Sequence, residues 1–145
     1  MPAINPYLRF NGNCRQAIEF YKNIFRTEPV YTGTFKDLPP EYAVDEAYHH
    51  LVMHVTLPIG EGTVLFASDT SEAFGPAPTV GDNFSLSIKV DSVEEADRVF
   101  KALADGGQVQ MPLSDTFWGS YFGTLVDQFG IHWMVGYDFP VVDEL

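Results

Sequence analysis

With 145 residues, 46% of them hydrophobic and 14% aromatic, the chain has the length of one domain and enough apolar content to fold unaided, which excludes intrinsic disorder. Twenty acidic against eight basic residues give a formal charge of -12, a balance that repels a phosphate backbone and excludes nucleic acid as a partner. No apolar run reaches the roughly 18 residues of a membrane span and no signal-peptide pattern opens the chain, so no membrane is expected and the expected location is the cytoplasm.

A strand-like run over 4–10 comes first. Asn13 then offers a helix cap with Gln16 three residues on, and Ala17, Ile18, Tyr21, Ile24 and Phe25 recur at helical spacing, which predicts a helix over 14–25. The lone cysteine, Cys14, has no disulfide partner and is read as part of that helix. Extended, β-branched and aromatic segments predict strands over 28–35, 49–57 and 63–69. Between Thr32 and Tyr48, Asp37, Pro39, Pro40, Glu41 and Asp45 mark a long loop. Residues 70–82 hold Gly75, Pro76, Pro78 and Gly81 without apolar periodicity and read as a linker. A strand over 83–90 follows, and Ser92 with Glu95 forms a capping box. Val93, Ala96, Val99, Phe100 and Leu103 line one face up to Gly106-Gly107, which predicts a helix over 93–104. Strands over 107–113, 120–127 and 131–137 complete the chain.

The two halves repeat. Ser92 stands 79 residues after Asn13, and the same offset pairs Ala17 with Ala96, Tyr21 with Phe100, Lys22 with Lys101 and Val30 with Val109. Later the offset is 68, pairing Thr56-Leu57 with Thr124-Leu125 and Gly62 with Gly130; the difference falls in the loop between Thr32 and Tyr48, present in the first half alone. The expected fold class is therefore α+β, from two tandem β-α-β-β-β modules, 1–69 and 83–140. Each module is too small to bury its apolar face well by itself, so both are expected to pack as a single domain.

The run Asn5-Pro6-Tyr7-Leu8-x-Phe10-Asn11-Gly12-Asn13-Cys14-x-x-Ala17, the helix end Phe20-Tyr21 and the stretch Thr116-Phe117-Trp118-Gly119-x-x-Phe122-Gly123-x-Leu125-x-Asp127-x-Phe129-Gly130-x-x-Trp133 resemble the PhnB-like branch of the vicinal oxygen chelate superfamily. The resemblance implies a glyoxalase-like fold, in which paired modules form a cup-shaped mixed sheet with helices outside, and a homodimer. It also implies a pocket for a small molecule inside the cup. Superfamily enzymes such as glyoxalase and fosfomycin-resistance proteins hold a divalent metal through His, Glu or Gln on the first and last strand of each module. Spacing from the helix caps and hairpin glycines puts those positions at Pro6, Ser85, Phe66 and Met134, none of which supplies a carboxylate, imidazole or thiolate. A slip of one residue gives Tyr7, Leu65, Phe84 and Trp133, with the same result. Members of the branch have also been labelled methyltransferases of ubiquinone synthesis, but no G-x-G-x-x-G turn for a nucleotide-derived cofactor occurs here. No metal and no cofactor are expected.

Alternation along 49–57 puts His50, Val52, His54 and Thr56 on one face and Leu51, Met53, Val55 and Leu57 on the other, with His49 among the latter. If the apolar side lies under a helix, His50 and His54 point into the cup, where an imidazole can act as acid, base or hydrogen-bond donor. Four residues apart on a strand they are separated by about 13 Å of rise, too far for one metal ion. His54 is the candidate catalytic residue and His50 a ligand-binding one, against the alternative of hydrogen-bonded strand histidines. Ser85 and Ser87, with Lys89, share a face of their strand and are candidates to orient a polar ligand, although no local base activates a serine. Trp118, read as the start of a strand, lies with Phe122 in an aromatic patch suited to an apolar ligand. His132 and Met134 share a face and, with Phe66, complete the candidate ligand-binding set, while Trp133, Phe20 and Tyr21 are read as core. These readings favour a small-molecule-binding protein, with catalysis left open. The alternatives are a drug-sequestering protein of the bleomycin-resistance type and a metal-dependent enzyme of the glyoxalase or dioxygenase type.

Overall fold

A computed structural model describes residues 1–71 and 75–141, so part of the expected linker, 72–74, lies outside the described residues. The chain divides into two compact units, Met1–Thr79 and Val80–Leu145.

In the first unit, β1 (Tyr7–Phe10) leads into α1 (Cys14–Phe25), followed by β2 (Tyr31–Thr34), β3 (Val52–Gly60) and β4 (Thr63–Asp69) in a mixed sheet of order β1-β4-β3-β2. In the second, β5 (Leu86–Lys89), α2 (Val93–Ala104), β6 (Gln108–Asp115), β7 (Ser120–Val126) and β8 (His132–Asp138) give the order β5-β8-β7-β6. Each unit is thus a β-α-β-β-β module with one parallel strand pair, β1 with β4 and β5 with β8. The fold is α+β and glyoxalase-like, as the sequence predicts.

Both helices occupy the residues that periodicity assigns them, because a buried stripe faces each sheet. In α1 the stripe is Cys14, Ala17, Ile18, Tyr21 and Ile24, packed toward β3 and β4 over Val55, Leu57, Leu65 and Ala67. In α2 it is Ala96, Val99, Phe100 and Leu103, over Leu125, Trp133 and Val135. Trp133 and Tyr21 are core residues as expected; Phe20 is half-buried. Burial pushes the Cys14 thiol well above its ordinary range, and the neighbouring Asp69 charge adds to the effect.

The caps differ. Ser92 accepts from the Glu95 amide at 3.1 Å, as the capping box predicts. Asn13, however, makes no side-chain cap; the buried carboxylate of Asp69, from the far end of β4, accepts the Cys14 amide at 2.8 Å instead. Its second oxygen accepts the Val52 amide at 2.8 Å, so one side chain ties the start of α1 to the start of β3.

Several predicted strands shift. β3 begins at Val52 instead of residue 49, because the segment read as a loop contains single 3-10 turns at Phe35–Asp37, Pro40–Tyr42 and Glu46–Tyr48, and a turn continues through His49 and His50. Pro39 and Pro40, without amide donors, suit such turns. A register shift between Gly33 and Thr34 then leaves Val52 buried beside Ile18, on the α1 side, and off the His54 face to which simple alternation assigns it. Trp118 does not begin a strand; it sits in the turn between β6 and β7. No helix among the described residues is long and apolar enough to cross a membrane.

Candidate functional site

The face of the first sheet opposite α1 is built by alternation from residues whose neighbours are buried. Leu8 and Phe10 face the helix, so Tyr7 and Arg9 face away; Leu65 and Ala67 face it, so Phe66 does not. Strand pairing then lines up Tyr7, Phe66, Thr56 and Tyr31 across the four strands, with His54 one step along β3 opposite Gly33.

His54 is the centre of this group. Its Nδ1 lies 3.1 Å from the Tyr7 hydroxyl and its Nε2 lies 3.1 Å from Thr56 Oγ1. Its ring centroid is 5.4 Å from Phe66, 5.5 Å from Tyr7 and 6.0 Å from Tyr31. A neutral imidazole has one N–H and one lone pair, so the two hydroxyls must play opposite parts. A phenol is a more acidic donor than an aliphatic alcohol, which assigns the Tyr7 O–H to Nδ1 and the Nε2–H to Thr56. Tyr7 is about half exposed, at 48%, and keeps its oxygen lone pairs for a ligand.

Gly33 makes room for this arrangement. A Cβ there would stand 2.6 Å from the Tyr31 hydroxyl, so the tyrosine ring lies where a side chain would be. Because Tyr31 is half exposed and can swing outward, Gly33→Ala is expected to change stability by no more than about 1 kcal/mol. It should still move the His54 ring-proton resonances as Tyr31 departs. Thermal unfolding and proton NMR check the two halves of this expectation.

The second sheet has its own open face. Ser87, Met134, Thr124 and Met111 form one row across it, and Lys89, Gly136, Phe122 and Ser114 the next. The Trp118 indole meets Phe122 edge-on at 5.7 Å. His132 opens β8 opposite Val126 and shares the Met134 face.

The structure therefore gathers the predicted residues into groups on different units. His54 and Phe66 meet on the first; Trp118 joins Phe122 and Ser87 faces Met134 on the second. His50 lies in the exposed turn before β3, outside the strand that carries His54, with its carbonyl accepting from Arg15 at 3.2 Å. His49, beside it, bonds the Val44 carbonyl at 3.0 Å. Ser85 precedes β5 and is outside the strand. Tyr31 is outside the predicted set, and Tyr7 enters the sequence reading only as a one-residue slip of a metal position, not as a ligand-binding residue. The alternation Tyr7-Leu8-Arg9-Phe10 could have found Tyr7, but spacing from the caps points to Pro6. The path from Ser87 to the Ser92 cap is one residue shorter than that from Tyr7 to Asn13, so the two first strands do not superpose at the offset of the helices.

With the register observed, the paired first- and last-strand positions are Tyr7 with Phe66 and Ser87 with Met134. A phenol, a phenyl ring, a hydroxyl and a thioether do not form a donor set for a divalent ion. Among the described residues no three His, Cys, Asp or Glu converge to hold one. The residues present do not fit the superfamily's metal.

A family model described as 3-demethylubiquinone-9 3-methyltransferase matches residues 2–136. Protein YjdN of Escherichia coli strain K12 is 30% identical over 141 residues, spanning 91% of this chain and 92% of its own. Protein PA1353 from Pseudomonas aeruginosa, in its crystal structure, is 40% identical with a TM-score of 0.82, covering 95% of this chain and 98% of that one. A PhnB protein from Bacillus cereus is 26% identical with a TM-score of 0.75, covering 94% of this chain and 99% of that one.

Proposed function

We propose, since the chain belongs to the 3-demethylubiquinone-9 3-methyltransferase family, the PhnB-like branch of the vicinal oxygen chelate superfamily, that it binds a small, partly apolar molecule on the open face of the first sheet. Tyr7 and His54 address an oxygen of that molecule, and no metal takes part. The observation that carries this reading is the hydrogen-bonded chain Thr56–His54–Tyr7 set among the rings of Phe66 and Tyr31.

The chain of three polar groups moves a proton without a metal. A ligand hydroxyl placed at Tyr7 Oη gives its proton to that oxygen while the phenol proton passes to Nδ1, leaving an imidazolium that Thr56 still accepts from. The aromatic rings supply the apolar contact that a planar ligand needs. Methyl transfer is less well supported. The strand-to-helix turns, Asn11-Gly12-Asn13 and Val90-Asp91-Ser92, differ from the glycine-rich turn on which a nucleotide-derived methyl donor is often seated. The proposal includes a homodimer; β6, an edge strand with Val109 and Met111 exposed, supports it, and light scattering reads it directly.

Titration of the protein with dicarbonyl, quinone and antibiotic compounds tests the reading. Tyr7→Phe is expected to weaken the best binder about tenfold and His54→Ala by about as much or more, the loss of one or two hydrogen bonds. Turnover that disappears in both variants indicates catalysis, and binding without turnover indicates sequestration. Affinity untouched by both substitutions rejects the site, and a stoichiometric divalent ion in the purified protein rejects its metal-free chemistry.

A further inference from the structure

A concave site lies wholly within the second unit. A cavity of about 560 Å³ opens between Trp118 in the β6–β7 turn and the end of β8, bordered by Lys89, Ser120, Asp138, Phe139 and Pro140. Its walls are fixed by the fold. Thr116 and Ser120 exchange hydrogen bonds at 2.8 and 3.0 Å to close the turn, and the Phe139 amide donates to the Gly119 carbonyl at 2.9 Å, tying the turn to the end of β8. Phe122 meets the Trp118 indole edge-on at 5.7 Å from the sheet side, while Phe117, edge-on at 5.0 Å, is itself almost fully exposed; the indole is 54% exposed.

The polar side of the cavity carries both signs of charge. Asp138 Oδ1 accepts from the buried Ser120 hydroxyl and from Lys89 Nζ, the latter at 3.0 Å. The Ser120 bond first, and Lys89 second, hold the Asp138 carboxyl below the usual carboxylate range. Among the described residues both bonds to Asp138 fall on Oδ1, which leaves Oδ2 as an acceptor and two ammonium hydrogens of Lys89 as donors.

We infer that this cavity takes a zwitterion bearing an aromatic group, of the α-amino-acid class, its ammonium on Asp138, its carboxylate on Lys89 and its ring on Trp118. A simple anion reaching Lys89 would also meet the Asp138 carboxylate, and a simple cation reaching Asp138 would meet the Lys89 ammonium. A zwitterion satisfies both charges and completes an alternating set of four. The indole offers it a flat apolar contact of the kind aromatic ligands prefer. None of these residues belongs to the group around His54.

The test is an NMR titration of the full chain labelled with ¹⁵N, whose two tryptophans give two indole signals, with Trp118→Phe assigning them. L-phenylalanine, phenylacetate and phenethylamine are added separately. The expected result is a saturable shift of the Trp118 signal with L-phenylalanine and about tenfold weaker binding of the two singly charged analogues. Lys89→Met and Asp138→Asn, both at exposed side chains where folding should be preserved, are each expected to weaken L-phenylalanine about tenfold as well. The inference is overturned if neither substitution weakens binding, if an analogue binds as well as L-phenylalanine, or if none of the three moves the Trp118 signal.

Discussion

Asp69→Ala is expected to lower the free energy of unfolding by about 4 kcal/mol, read from urea denaturation followed by circular dichroism. Asp69 is buried, and its two oxygens take the amides of Cys14 and Val52, each at 2.8 Å. A hydrogen bond to a charged group contributes roughly 1.5–3 kcal/mol, and its removal here also leaves two backbone donors without an acceptor. The expected loss exceeds that of an ordinary helix cap, roughly 1 kcal/mol, because the same carboxylate also fixes where β3 begins. Asp69→Asn should fall between: its amide oxygen still serves one donor, but its NH₂ faces the other. If the units melt in separate transitions, the effect belongs to the first unit's transition. A loss under about 1 kcal/mol for the alanine variant would show that Asn13 takes over the cap, the role the sequence assigns it.

That exchange of caps shows which parts of the fold were legible. Helix extent depends on residues three and four apart, so Ala17, Ile18, Tyr21 and Ile24 announced α1, and Ala96, Val99, Phe100 and Leu103 announced α2, from local pattern alone. The residue that caps α1 comes from 55 positions away and leaves no local trace. His49-His50-Leu51 looks extended, yet the 3-10 turn at Glu46–Tyr48 runs on through the two histidines, so His50 fell outside the strand on which alternation placed it. His54 was found because Val55 and Leu57 mark the opposite face. Its tyrosine partners do not show in the same way, since Tyr7 and Tyr31 come to it from separate strands through pairings that depend on register. Gly33, which leaves room for the Tyr31 hydroxyl, reads in the sequence only as a gap in a strand.

Asp127→Ala should be the more damaging change, costing about 5 kcal/mol in the second unit. Oδ1 accepts the amides of Phe129 and Ile131 at 2.8 and 3.0 Å, and Oδ2 accepts the indole N–H of the buried Trp133 at 2.8 Å. The Asp127 backbone closes the same turn, its carbonyl accepting from Gly130 at 3.0 Å and its amide donating to Ile131 at 2.9 Å; Gly130 itself takes a positive φ of 85°. A double-mutant cycle with Trp133→Phe isolates the indole contact, with an expected coupling of about 2 kcal/mol. The motif Asp127-x-Phe129-Gly130-x-x-Trp133, part of the stretch that carries the family resemblance, is thus a clamp for the β7–β8 hairpin. Its presence reports the fold and is silent on the reaction. An Asp127→Ala protein of unchanged stability that had lost a ligand would reverse that reading and move the chemistry to this turn.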